Sequence, residues 1–195
     1  KSNAARLAII HPGATDLRRR WPAENFGHIA DHLIEQNFLV CLTGTASETK
    51  TVARVLEHSR RQSHILNFCG RLNLKGLTGL LSMADILVSN DTGPLHLARA
   101  LQTRTIGIFW CGNSITGMSM TSNIHRSLIS WVFQCPLCGL SFKEFEKERS
   151  AGCTHCTSFV SDISIDEVKA SLQDIIDLGK KKNRASALEN ERVVR

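Results

Sequence analysis

The stretch ILVSNDTGPLHLARALQTRTIGIF (86–109) decides the fold. It opens on a short apolar run, Ile86–Ser89, and breaks at the polar turn Asn90-Asp91-Thr92-Gly93. Apolar residues then recur at helical spacing over Pro94–Leu101, and a second apolar run follows at Thr105–Phe109. A strand, a helix of about two turns and another strand make a βαβ unit. Neither run alternates polar with apolar, as expected of strands covered by helices on both faces of a parallel sheet.

The same grammar extends upstream. Arg6–Ile10 reads as a buried strand running into the turn His11-Pro12-Gly13, and Pro22 stands where a helix begins, with Phe26, Ile29, Ala30 and Leu33 on one face. Phe38–Thr43 is the next strand, followed by a helix over 47–58 with Val52, Val55 and Leu56 on its packing face. Ile65–Phe68 and the helix Leu77–Met83 complete the series. Residues 6–132 thus read as a doubly wound, Rossmann-like α/β sheet. Its ligand edge is the set of loops after the strands, at 11–21, 43–48, 69–76, 90–94 and 110–117. Beyond Trp131 the periodicity weakens into a cysteine-rich insertion, 135–156. A last helix opens at Ser164, with Glu167 as capping-box partner and Val168, Leu172, Ile175 and Ile176 as its stripe.

Composition bounds the function. The 195 residues are 42% hydrophobic, enough for a buried core, and no apolar run reaches the ~20 residues of a membrane span. No signal-peptide pattern opens the chain, and it begins at Lys1 rather than methionine, which leads us to expect a piece of a longer protein. The net charge of +6 is concentrated at the end: residues 180–195 carry six Lys and Arg against Glu189 and Glu191, or +4. A solvated basic tail over 179–195 therefore accounts for most of the excess, and specific nucleic-acid binding is not expected. Attraction of that tail to an anionic membrane surface is compatible with it.

Three segments at the ligand edge carry chemistry. The turn 90–94 leads into a helix whose Gly93, Leu95 and His96 amides are expected to face outward as an anion site, with Pro94 at the first helical position. The alternative is a plain capped turn with His96 against its own helix. The first loop, 11–21, carries Arg18, Arg19 and Arg20, and a guanidinium fork suits phosphate. Thr45-Ala-Ser-Glu48 reads either as a capping box or as a carboxylate for ribose hydroxyls; the local sequence favours the cap.

The pieces IIHPGA (9–14), RRWP (19–22), LTGTASE (42–48), NFCGRLNLKGLTGLLSMADILVSNDTGPLHLARAL (67–101) and ISIDEV (163–168) together resemble glycosyltransferase family 9, the ADP-heptose:lipopolysaccharide heptosyltransferases. The resemblance covers residues 6–178 and the C-terminal, donor-binding half of a family member. It implies the C-terminal domain of a GT-B glycosyltransferase that binds a nucleotide-diphosphate sugar such as ADP-heptose. Asp91, Thr92, Gly93 and His96 match the DTGxxH segment that holds the diphosphate, and Glu48 matches the ribose-binding glutamate. Arg19 stands where the family usually has lysine. With Thr15 and Leu95 these make the expected donor set. The N-terminal half, which binds the lipid-linked saccharide acceptor and supplies the general base of an inverting transfer, has no counterpart here. No catalytic residue is therefore assigned to this chain, and the expected setting is cytoplasmic, peripheral at the inner membrane.

Cys135-Pro-Leu-Cys138 and Cys153-Thr-His-Cys156 form a C-x2-C-x14-C-x2-C array, the arrangement of a structural zinc ribbon. Four reduced thiols packing a loop, or two disulfides, are the competing readings, with His155 a spare ligand. Cys41, Cys69 and Cys111 are expected to be core thiols. No cofactor is expected for the chemistry. Two further functions remain open at this point: a zinc-ribbon interaction module on an α/β scaffold, and an inactive truncated remnant.

Overall fold

The computed structural model describes residues 6–112, 122–141 and 155–178. Six strands form one sheet: β1 (Arg6–His11), β2 (Phe38–Leu42), β3 (Ile65–Asn67), β4 (Ile86–Asn90), β5 (Arg104–Trp110) and β6 (His125–Ser130), in the order β3-β2-β1-β4-β5-β6. Every neighbouring pair is parallel. The chain winds outward from β1 to β3, returns to place β4 beside β1, and winds outward again to β6. That reversal opens a crevice above the carboxyl ends of β1 and β4.

The helices are α1 (Ala23–Glu35), α2 (Thr49–Glu57), α3 (Leu74–Met83), α4 (Gly93–Ala100) and α5, residues 165–178. The stripe Phe26, Ile29, Ala30 and Leu33 of α1 is fully buried, as are Val168, Leu172 and Ile175 of α5, and all belong to one apolar layer with Val52 and Val55 of α2. Helices α3 and α4 bury Leu81, Leu95 and Ala98 against the opposite face, over Ile9, Leu87 and Phe109. Helix α5 starts as its sequence predicts. The Ser164 amide and hydroxyl both donate to Glu167 Oε2 at 2.7 Å, and the Glu167 amide returns a bond to Ser164 Oγ.

The structure corrects several boundaries. Helix α3 begins three residues before its expected start, because Asn73 Oδ1 accepts the Gly76 amide and supplies a cap. Helix α4 begins at Gly93 with Thr92 as its cap residue, so Pro94 occupies the second helical position rather than the first. Strand β6 was not expected: HRSLIS is half polar and only partly buried, as an edge strand can be. No helix among the described residues is long and apolar enough to cross a membrane. The basic tail 179–195, Cys153 and part of the loop at 110–117 lie outside the described residues.

Candidate functional site

A cavity of about 330 Å³ opens at the carboxyl edge of the sheet. It draws on four of the five loops singled out from sequence, with Thr15, Glu48, Thr92 and Gly93 on its wall. Part of its lining is apolar, from Phe68, Leu72, Leu74 and Leu77. All four fall within the stretch 67–101 that carries the family resemblance, after β3 and on the first turns of α3, but none was singled out as a site residue.

Buried Asn90, the last residue of β4, holds the edge together. Its Nδ2 donates to the Pro12 carbonyl at 2.8 Å and its Oδ1 accepts the Trp21 amide at 3.0 Å. Both ends of the first loop are thereby fixed to the β4 turn. Trp21 is sealed on its other side, where its indole N–H donates to the Ile163 carbonyl at 2.8 Å and its ring packs edge-on against Phe26.

Glu48 resolves into two oxygens with separate surroundings. Oε2 accepts both the Thr45 amide at 2.7 Å and the Thr45 hydroxyl at 2.9 Å, so the capping box is present. Oε1 accepts no bond among the described residues and lies against Gly13, where an added Cβ would come within 1.8 Å of it. The residue is 9% exposed and lines the cavity. Cap and ligand carboxylate, offered by the sequence as rivals, are thus compatible in one side chain.

The arginines of the first loop divide. Arg18 is held by Asp16 at 2.7 Å, and Arg20 donates to the Ala14 carbonyl at 2.7 Å. Arg19 reaches across to Asp91 Oδ2 at 3.5 Å. Burial raises the Asp16 carboxyl, and its bonds from Arg18 more than offset this, leaving it below the usual range. Asp91, 6% exposed, also lies 3.1 Å from His96 Nε2. His96 therefore faces its turn and not its own helix.

The turn offers fewer amides than expected. Leu95 and His96 both donate to the Thr92 carbonyl, at 3.0 and 3.3 Å, because the first helical bond and a tighter three-residue bond converge on the cap residue. Leu95 itself is fully buried in the α3–α4 layer. The Gly93 amide is left without an internal acceptor among the described residues, and a Cβ there would meet nothing within 4 Å. Thr92 Oγ1 lies 3.3 Å from the Asn90 carbonyl. His11, buried at the cavity floor, contacts Thr43 Oγ1 at 3.2 Å; burial lowers its pKa, against the opposing charge of Glu48.

Part of the cysteine array lies within the described residues, and there a histidine joins it. Cys135, Cys138 and His155 bring their ligand atoms within 4.8 Å of one another, and Cys135 Sγ lies 3.7 Å from His155 Nδ1. Tetrahedral Zn–S and Zn–N bonds place such a pair about 3.6 Å apart, so the donor set fits a metal. His155, expected to be spare, is the third member of the trio; Cys156 is exposed and outside it. Cys41 and Cys111 are buried, and burial raises both thiols, whereas Cys69 is half-buried and donates to the Thr45 carbonyl at 3.2 Å.

The chain is 22% identical over 138 residues to lipooligosaccharide heptosyltransferase 2 of Campylobacter jejuni, covering 70% of this chain and 43% of that protein. Its fold superposes on Escherichia coli ADP-heptose LPS heptosyltransferase II with a TM-score of 0.63 at 19% identity, covering 93% of this chain and 49% of that one. It also superposes on the iron-containing dodecameric glycosyltransferase TibC of enterotoxigenic E. coli, with a TM-score of 0.57 at 16% identity, covering 93% and 47%. The chain thus spans about half the length of the proteins it resembles, and the shared fold is the Rossmann-like α/β sheet. The family model of glycosyltransferase family 9 (heptosyltransferase) matches residues 2–127, and the chain belongs to that family.

Proposed function

We propose that this chain is the donor-binding domain of a heptosyltransferase, taking a nucleotide-diphosphate sugar of the ADP-heptose kind into the cavity at the carboxyl edge of the sheet. One observation carries the reading. A single cavity combines an apolar wall, an available carboxylate oxygen at Glu48 and the unbonded Gly93 amide at a helix start. The base lies against the apolar wall. The ribose hydroxyls donate to Glu48 Oε1. The diphosphate meets the Gly93 amide and the hydroxyls of Thr15 and Thr92, with Arg19 and His96 beside it and Asp91 orienting both. Leu95 serves by packing, since its amide is taken. Charge developing on the leaving diphosphate is stabilised by these donors. The acceptor, a lipid-linked saccharide of the lipopolysaccharide type, and the general base belong to the other half of such an enzyme, at the cytoplasmic face of the inner membrane. Cys135, Cys138 and His155 hold a structural metal, with zinc or iron suited to that ligand set.

Calorimetric titration with ADP, UDP and GDP tests the donor site. Saturable ADP binding, lost in an Arg19→Ala/Asp91→Ala double variant, is the expected result. Gly93→Ala provides the sharper control, because the added methyl enters open space and disturbs no protein atom. It leaves the melting temperature unchanged and weakens ADP binding. Equal ADP affinity in Gly93→Ala and the parent sinks the placement of the diphosphate, and no binding of any nucleotide sinks the donor reading itself.

A further inference from the structure

The cysteine cluster and the first loop meet through a short series of contacts. Three residues before Cys135, the Val132 carbonyl accepts the Trp110 indole N–H at 2.8 Å. Four residues after His155, Phe159 donates its amide to the Arg18 carbonyl at 2.7 Å, and its own carbonyl accepts the Ser130 hydroxyl at 2.5 Å. The Trp110 and Phe159 rings pack edge to face at 5.2 Å, and the Arg18 guanidinium lies over Trp110 at 5.8 Å. Arg18 precedes Arg19, whose guanidinium reaches Asp91. A metal with ligands on both sides of this arrangement fixes the segment at 155–159 against the segment at 132–138. The Phe159 amide then has a set position from which to hold the first loop.

We propose that metal binding at Cys135, Cys138 and His155 orders the first loop through Phe159 and Trp110, and so couples the metal centre to anion binding at the cavity. Phe159 and Trp110 act here as positioning residues: neither lines the cavity, and both act through the Arg18–Arg19 backbone. The coupling is reciprocal, because a ligand that favours the ordered loop must tighten metal binding by the factor by which metal tightens the ligand. The nucleotide side of this proposal rests on the donor reading above; the ordering of the loop does not.

Hydrogen exchange read by mass spectrometry on the whole chain, zinc-loaded and chelator-stripped, separates the two. The amides of residues 18–21 donate to Asp16, Leu17 and Asn90 and are expected to exchange about tenfold faster after stripping, within the usual range of coupling between sites. Amides of β1 and β2 serve as the internal reference that the fold persists. Trp110→Phe keeps an aromatic ring but removes the bond to Val132. It is expected to retain zinc and still raise exchange at 18–21, which covers the case in which stripping unfolds the chain. ADP then binds the stripped chain about tenfold more weakly and raises zinc affinity by the same factor. Unchanged exchange at 18–21 in both the stripped chain and Trp110→Phe overturns the proposal, as does a chain that retains no zinc. A loaded chain that binds no ADP overturns the donor reading alone, since the exchange result still decides the loop.

Discussion

The cavity and the cysteine cluster are built on opposite plans. The cavity takes its walls from residues as far apart as His11 and Pro94, brought together because every parallel strand ends at the same edge. Among the described residues, the cluster takes two of its three candidate ligands from one x2 knuckle and the third from seventeen residues on. The first is held by the whole sheet and fails when any element holding the edge is lost. The second depends on a few local contacts and, in the reading proposed above, on a bound ion. The contrast teaches that the cavity is preformed by folding, whereas a cluster of this kind would gain its rigidity from a bound metal.

The largest effect is expected where the cavity depends on one side chain. Asn90→Ala leaves the buried Trp21 amide and Pro12 carbonyl without their partner, at a cost of about 2–4 kcal/mol in chemical denaturation. It should also abolish nucleotide binding while leaving a chelator-removable metal in the folded fraction. Next, Gly13→Ala drives a methyl into Glu48 Oε1, so ADP affinity should fall by more than tenfold with a stability loss of about 1–3 kcal/mol. If calorimetry shows parent-like affinity, Glu48 is not the ribose ligand. Arg19→Ala should weaken ADP by about tenfold through loss of a charge-assisted contact, and Arg20→Ala by much less, because Arg20 braces Ala14 within its own loop.

Acidity acts on the folded chain through its buried histidines. Burial makes His11 harder to protonate in the folded chain than in the unfolded one, and His32 and His125 are shifted the same way. The unfolded state therefore binds more protons as the pH falls through the ordinary histidine value of 6.5. Stability is full above that value and declines below it. Thermal melts of His11→Asn should show a shallower decline than the parent. The smallest effect belongs to a remote control: Ser164→Ala removes the α5 cap for about 0.5–1 kcal/mol and leaves both sites intact.

Much of this was legible in the sequence. Five strands and the stripes of α1, α2 and α5 followed from apolar spacing, because packing in a doubly wound sheet is set by local patterns. Strand β6 was missed because a half-exposed edge strand carries no continuous apolar run. The ligand edge could be located, since strand ends fix it, but its geometry could not. The amides of Leu95 and His96 go to Thr92 because the helix starts one residue earlier than expected, and nothing local announces that Asn90 ties two loops across 69 residues. The cluster reversed this: its spacing was conspicuous, and among the described residues the fold adds His155, which the spacing had left spare, beside Cys135 and Cys138.

The division of labour within Glu48 has a kinetic consequence. Its carboxylate is fixed by Thr45 through one oxygen and wedged against Gly13 with the other. In the donor reading proposed above, an arriving ribose would meet an acceptor that needs no rotamer search and no dissolution of the helix start. The entropy of ordering that side chain was lost during folding and does not recur at encounter. Capture at this point should therefore be limited by diffusion and by the first loop, with the glutamate adding no waiting time of its own.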